Sequence, residues 1–322
     1  MDSQPLKGME AVVLAAGLGE RLRPLTLARP KCLFPVMNRP LLEVCLDWLA
    51  ALGVSRARVN AHYLQPQVER WLAAARLPLP VELSPEPGLI LGTGGGIRQA
   101  AQGLTSTFAV VNADVIVRGA DLGAMLERHR ATGALATLLL QPEGSPRNIT
   151  VGEDGRLTSL RGRPAQAAGE AAGFTGIHFM EPAMLERLPQ GVSDIIEAYT
   201  GCLERGEPVC GHLSAGHYFR DMGTPRSYLD LHRDIFAGRL SLPGIDPTGG
   251  LWLARGVEIG RGSRLGPEVV AAAGVKFGEG CSVSRSVIWE GASIAAGTEL
   301  EGCVVGQGVE VARSARDEVL VA

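Results

Sequence analysis

Apolar residues follow two rhythms along the chain, and the change-over falls near residue 250. Before it, short apolar runs such as Ala11-Val12-Val13-Leu14 and Phe108-Ala109-Val110-Val111 alternate with stretches whose apolar positions recur at helical spacing. The clearest of these, residues 40–52 (PLLEVCLDWLAAL), ends at Gly53, a natural C-cap position. The same reading predicts strands at 57–61, 81–83 and 209–213, helices at 65–75, 97–102, 193–203 and 225–237, and a short hairpin around Glu153-Asp154-Gly155. Strands alternating with helices in this way predict a doubly wound, Rossmann-like α/β sheet. Residues 164–173 are small and polar and are expected to be mobile.

After residue 250 the period becomes six. Leu253, Ile259, Leu265, Ala271, Phe277 and Val283 keep one phase. After one skipped residue the phase resumes at Ile288, Ile294 and Leu300, and after another at Val305 and Val311. Glycine stands three residues after most of them: Gly256, Gly262, Gly274, Gly280, Gly291, Gly297 and Gly308. An apolar residue and a turn glycine every six positions are the signature of a left-handed parallel β-helix, which needs about eighteen residues per coil. Eleven such edges predict three to four coils. The open ends of so short a solenoid need covering, so a homo-oligomer built on this element is expected.

Composition narrows the chemistry. The 322 residues suffice for one large α/β domain with an appendage, and a net charge of −3 argues against a nucleic-acid-binding surface. The six cysteines form no C-x-x-C pair and have no histidine at metal-ligand spacing, which predicts free thiols in a reducing cytoplasm. The segment MDSQPLKGME lacks a signal-peptide core and no apolar run reaches the roughly 20 residues of a membrane span, so neither export nor membrane insertion is expected.

The richest stretch is residues 11–36, AVVLAAGLGERLRPLTLARPKCLFPV. A buried strand breaks into Gly17-Leu18-Gly19, and Arg21, Arg23 and Lys31 follow closely. Backbone N–H groups in such a bend, backed by cations, suit an anion, while Pro24, Pro30 and Pro35 are expected to hold the segment extended. Leu22 takes the third glycine position of a dinucleotide fingerprint, and no G-x-x-x-x-G-K-[ST] phosphate loop occurs. Downstream, Gly92-Thr93-Gly94-Gly95-Gly96 permits close backbone approach, which suits a flat base or a ribose; a flexible hinge is the competing role. Asp114 follows an apolar strand, where open α/β sheets collect ligands; capping the next helix is the competing role.

The run from Leu14 to Thr26 with Pro30-Lys31-x-Leu33-x-Pro35-Val36 closely resembles the signature of the sugar-1-phosphate nucleotidyltransferases. The block Phe219-Arg220-Asp221-Met222-Gly223-Thr224-Pro225 resembles the family's W-x-D-x-G-T-P motif, with Phe219 in place of tryptophan, and Gly173-Phe174-Thr175-Gly176-Ile177-His178-Phe179 resembles its sugar-pocket strand. The resemblance implies a nucleoside triphosphate and a sugar 1-phosphate as substrates, with Mg²⁺ as cofactor. It implies that Leu14, Ala15, Ala16, Gly17 and Gly19 cradle the triphosphate and that Gly94 and Gly95 face the base. Arg21 would clamp pyrophosphate, Lys31 would bridge the reacting phosphates, and Asp114 and Asp221 would hold the metal. Asn148, Arg163 and Thr175 would serve the sugar phosphate. Arg161-Gly162-Arg163-Pro164 departs from the Glu-Lys-Pro of many relatives, which leaves the sugar open. The first part of the chain resembles N-acetylmuramate-1-phosphate uridylyltransferases and heptose-1-phosphate guanylyltransferases, and the β-helix resembles mannose-1-phosphate guanylyltransferases, so GTP and UTP both stand. A non-catalytic sugar-nucleotide-binding subunit and a transferase for a choline-phosphate-like acceptor are the alternatives. The expected boundaries are a catalytic domain at 1–240, a linker at 241–250 and the β-helix at 251–322.

Overall fold

The computed structural model describes residues 4–143, 146–164 and 168–322. Its contacts group them into two compact units: residues up to Leu18 with Cys45–Phe219, and Gly19–Val44 with Arg220–Ala322. The expected boundary at 240 thus falls inside the second unit, because residues 19–44 and the last helix of the α/β part group with the β-helix.

The first unit is built on a nine-stranded mixed sheet. Glu10–Leu14 lies between Arg56–Ala61 and Phe108–Asn112, parallel to both, and Val81–Pro85 extends the parallel set. The chain therefore runs outward on one side of its first strand before returning on the other. This places a topological switch point at the carboxyl ends of Glu10–Leu14 and Phe108–Asn112, where ligands of open α/β sheets bind. Beyond it, Glu170–Met180 pairs antiparallel with Phe108–Asn112, Ala136–Gln141 and Ile149–Val151, and Val209–Leu213 runs parallel to Ala136–Gln141. The hairpin of Ile149–Val151 with Leu157–Leu160 forms as read, around Gly155 at φ +78°.

Five helices begin the count: α1 Leu41–Ala51, α2 Gln65–Ala74, α3 Gly92–Ala100, α4 Leu122–Thr132 and α5 Ile195–Glu204. Helix α3 corrects the reading of the glycine run: the helix starts at Gly92, not at residue 97, so the glycines lie inside it. Residues 170–173, expected to be mobile, belong to a strand, and 165–167 lie outside the described residues.

In the second unit, helix α6 (Pro225–Phe236) opens with a capping box of Thr224 and Ser227 and a proline in its first turn. The β-helix follows as three parallel sheets of five, four and four strands. Its thirteen edges exceed the eleven predicted, because Ala315–Arg316 and Val319–Leu320 continue the coil with small or half-buried residues that the apolar period does not mark. All seven turn glycines have positive φ, between +65° and +82°. Val269, Phe277, Val283, Ile288, Ile294 and Leu300 fill the interior. On the first coil, which has no coil stacked beneath it, Ile259 remains 49% exposed.

Candidate active site

In the first unit the switch point gathers what the sequence placed there. Leu14 pairs with Asn60 and Asn112, and its carbonyl accepts the Ala113 amide at 3.0 Å. The next residue, Ala15, donates its amide to Asn60 Oδ1 at 2.7 Å, so this N–H is engaged by the protein. A Cβ at Gly17 would meet nothing within 4 Å, which leaves the space beside the loop to a ligand. Asp114 stands in the turn between Phe108–Asn112 and Val115–Arg118. It does not cap α4; Asp121 does, accepting from the Ala124 amide at 2.9 Å.

Asn60 and Glu86, both almost fully buried, tie this loop to α3. Asn60 Nδ2 donates to Glu86 Oε1 at 2.6 Å, and Glu86 Oε2 accepts the Leu91 amide just before the helix, at 2.8 Å. The helix needs its glycines here. A Cβ at Gly96 would press on Asn60 and Glu86, and one at Gly95 would strike the Gly191 carbonyl oxygen. The Gly94 amide donates to the Ser193 carbonyl at 2.8 Å. One face of Gly94 and Gly95 is therefore filled by residues 191–193, a requirement independent of any base.

Near the proposed sugar side, Asn148 lines a cavity of about 150 Å³ with Leu160, Arg161, Phe174 and Ile196. Arg163 is half exposed and paired with Glu197, while Arg161 pairs with Asp194 at 2.9 Å. Arg161 was not among the expected residues, yet it reaches this cavity. Thr175 corrects the sequence reading: it is fully buried and its hydroxyl donates to the Leu139 carbonyl at 2.9 Å, so it is spent inside the sheet. His178 is buried. It contacts the Tyr199 hydroxyl, and burial pushes its pKa down to about 3, outside the range of a general base at neutral pH.

The second unit collects the charge. Residues 20–33 are not extended as the prolines suggested; they fold into three single 3₁₀ turns, Glu20–Leu22, Leu25–Leu27 and Lys31–Leu33, because each proline stops a turn without preventing one. Gly19, at φ +62°, starts the first turn and accepts the Thr26 hydroxyl through its carbonyl at 3.0 Å. Asp221 ends the strand Tyr218–Asp221, with Arg21 at 3.5 Å and Lys31 at 3.8 Å. Gly223 makes room for this cluster, since a Cβ there would run into the Arg21 guanidinium. Lys31 is largely covered, at 11% side-chain exposure, while Arg21 and Asp221 remain open at 68% and 42%. Two cations around one accessible carboxylate form a charged arm suited to phosphate oxygens and a counter-ion.

Comparison with known sequences gives the family. The nucleotidyl transferase family matches residues 10–238. The chain belongs to that family. It is 32% identical over 301 residues to a mannose-1-phosphate guanylyltransferase of Mycobacterium tuberculosis, covering 91% of this chain and 83% of the relative. It is 30% identical to the mannose-1-phosphate guanylyltransferase catalytic subunit beta of Danio rerio, covering 96% and 89%. A UTP--glucose-1-phosphate uridylyltransferase of Synechocystis is 25% identical, covering 76% and 68%. The chain is thus a nucleotidyltransferase of the sugar-1-phosphate class. The six cysteines are all free and buried, and among the described residues no helix is long and apolar enough to cross a membrane.

Proposed function

We propose that this nucleotidyltransferase joins GTP to mannose 1-phosphate, giving GDP-mannose and pyrophosphate. The observation that carries the choice is coverage: the guanylyltransferase relatives extend through the β-helix, spanning 91–96% of the chain, whereas the uridylyltransferase spans 76%.

The sugar phosphate attacks the α-phosphorus of the nucleotide in line. Both reactants are polyanions, so holding them together against repulsion supplies most of the catalysis, and no covalent enzyme intermediate is required. Amides from Ala16 to Gly19 hold the triphosphate, and Gly94 and Gly95 lie toward the base. Arg21 holds the departing pyrophosphate. Lys31 neutralises the charge shared by the α-phosphate and the attacking sugar phosphate. Asn148, with Arg161 and Arg163, serves the sugar 1-phosphate.

By the family resemblance Asp114 and Asp221 would hold Mg²⁺, an ion that takes one or two carboxylates together with substrate phosphates. When bound, it supplies charge neutralisation at the triphosphate. A cytoplasmic homo-oligomer joined through the β-helix completes the proposal.

Release of pyrophosphate, measured with each nucleoside triphosphate against mannose, glucose, heptose and N-acetylmuramate 1-phosphates, tests the assignment. GTP with mannose 1-phosphate should give the highest kcat/KM. A preference for UTP or for another sugar would overturn it, and binding without turnover would favour a regulatory subunit.

A further inference from the structure

The β-helix does more in this molecule than extend it. Lys31 stands in a single 3₁₀ turn, in which the Leu33 amide donates to the Pro30 carbonyl at 2.9 Å and the Phe34 amide to the Lys31 carbonyl at 3.0 Å. Such a turn is too short to fix a long side chain's direction unaided. Its two flanks are both anchored on the indole of Trp289, just past the β-helix strand Val287–Ile288. Two residues before Lys31, the Arg29 guanidinium lies 4.7 Å from the Trp289 ring centroid. It also donates through Nη1 to Glu290 Oε2 at 3.3 Å, through Nη2 to Glu290 Oε1, and through Nη2 to Gln307 Oε1 at 2.9 Å. Three residues after Lys31, Phe34 meets Trp289 edge to face, with centroids 4.8 Å apart, and Tyr228 at 5.8 Å.

The same indole also contacts the helix that follows Asp221. Trp289 Nε1 donates to the Tyr228 hydroxyl at 3.2 Å, and that hydroxyl donates to the Pro35 carbonyl. Tyr228 lies on α6, which begins four residues after Asp221. Phe34, Tyr228 and Trp289 are all essentially inaccessible to solvent. One buried aromatic cluster thus braces the turn bearing Lys31 and the helix that follows Asp221, while the Arg29–Glu290 pair guards the turn's leading flank.

We propose that Trp289 and Glu290 are positioning residues for Lys31, so that the third coil of the β-helix forms part of the catalytic apparatus. The inference rests on the role assigned to Lys31 above. It also limits where the chain divides: a fragment ending at the α/β boundary loses the support of its own charged arm.

The test uses the full-length protein, because Trp289→Ala risks unfolding. Glu290→Ala, Glu290→Gln, Trp289→Phe and Lys31→Ala are compared by kcat, by KM for each substrate and by Tm. Glu290→Ala should lower kcat about tenfold or more, with KM values within about twofold and Tm nearly unchanged, since misplacing a catalytic group costs rate rather than binding. Glu290→Gln keeps an acceptor for Arg29 and should restore much of the loss, and Trp289→Phe should fall between. Wild-type kcat in folded Glu290→Ala, or a rise in KM at unchanged kcat, would overturn the inference while an inactive Lys31→Ala left the reading of Lys31 standing. Wild-type turnover in Lys31→Ala would defeat both.

Discussion

The signature segment from Leu14 to Val36 is continuous in sequence, yet its two parts are held by different means. The first part, up to Leu18, is an extension of the sheet: Leu14 is hydrogen-bonded into the parallel strands and the Ala15 amide is taken by a buried Asn60. The second part, from Gly19, carries Arg21 and Lys31 in isolated 3₁₀ turns and takes its support from Tyr228 and Trp289. A part built on the sheet offers backbone groups in fixed places. A part built on side-chain anchors offers long cations whose aim depends on packing. On the proposed function, the difference separates binding from chemistry, and it says which substitutions should affect which.

The largest effect belongs to the second part. Lys31→Ala should lower kcat by about a thousandfold with Tm little changed, because the missing charge acts mainly in the transition state; steady-state pyrophosphate release and a thermal melt decide it. The first unit should respond in stability. Gly95→Ala drives a Cβ into the Gly191 carbonyl, and a denaturant titration should show a loss of about 2 kcal/mol, the usual scale of overpacking. An unchanged midpoint would mean that residues 191–193 yield easily.

Gly223→Ala extends the contrast, since the atoms nearest its Cβ belong to the movable end of Arg21. Its Tm should stay within about two degrees while kcat falls about fivefold. A large stability loss there would show the charged arm to be as rigid as the sheet.

The smallest effect is in pH. His232 accepts the Met37 amide through Nε2 and contacts the Tyr228 carbonyl through Nδ1, and burial lowers its pKa from 6.5 to about 4. The unfolded chain therefore binds a proton that the folded chain refuses. The contribution is complete above pH 6.5 and is lost as pH falls through about 4. Melts at successive pH values should show wild-type Tm dropping across that window and His232→Gln dropping less.

Much of this was legible in the sequence, for identifiable reasons. Strong periodicity gave the central strands and the β-helix phase, and the seven turn glycines could be picked out because a positive φ recurs at each hexapeptide corner. The glycines of α3 were misjudged because their requirement is tertiary: a neighbouring backbone fills the place of each Cβ, and no local pattern records it. Thr175 was misassigned for a similar reason, its motif being visible and its hydrogen bond to Leu139 not. The anchors Asn60, Glu86, Arg29 and Trp289 escaped notice because each acts through residues tens to hundreds of positions away.

On the proposed function, charge and placement bring the two phosphates into direct contact with no nucleotidyl-enzyme between them. Exchange of labelled pyrophosphate into GTP tests it most directly. Exchange should appear only when mannose 1-phosphate or GDP-mannose is also present, as a direct displacement requires; exchange with GTP and pyrophosphate alone would reveal a nucleotidyl-enzyme and contradict the account.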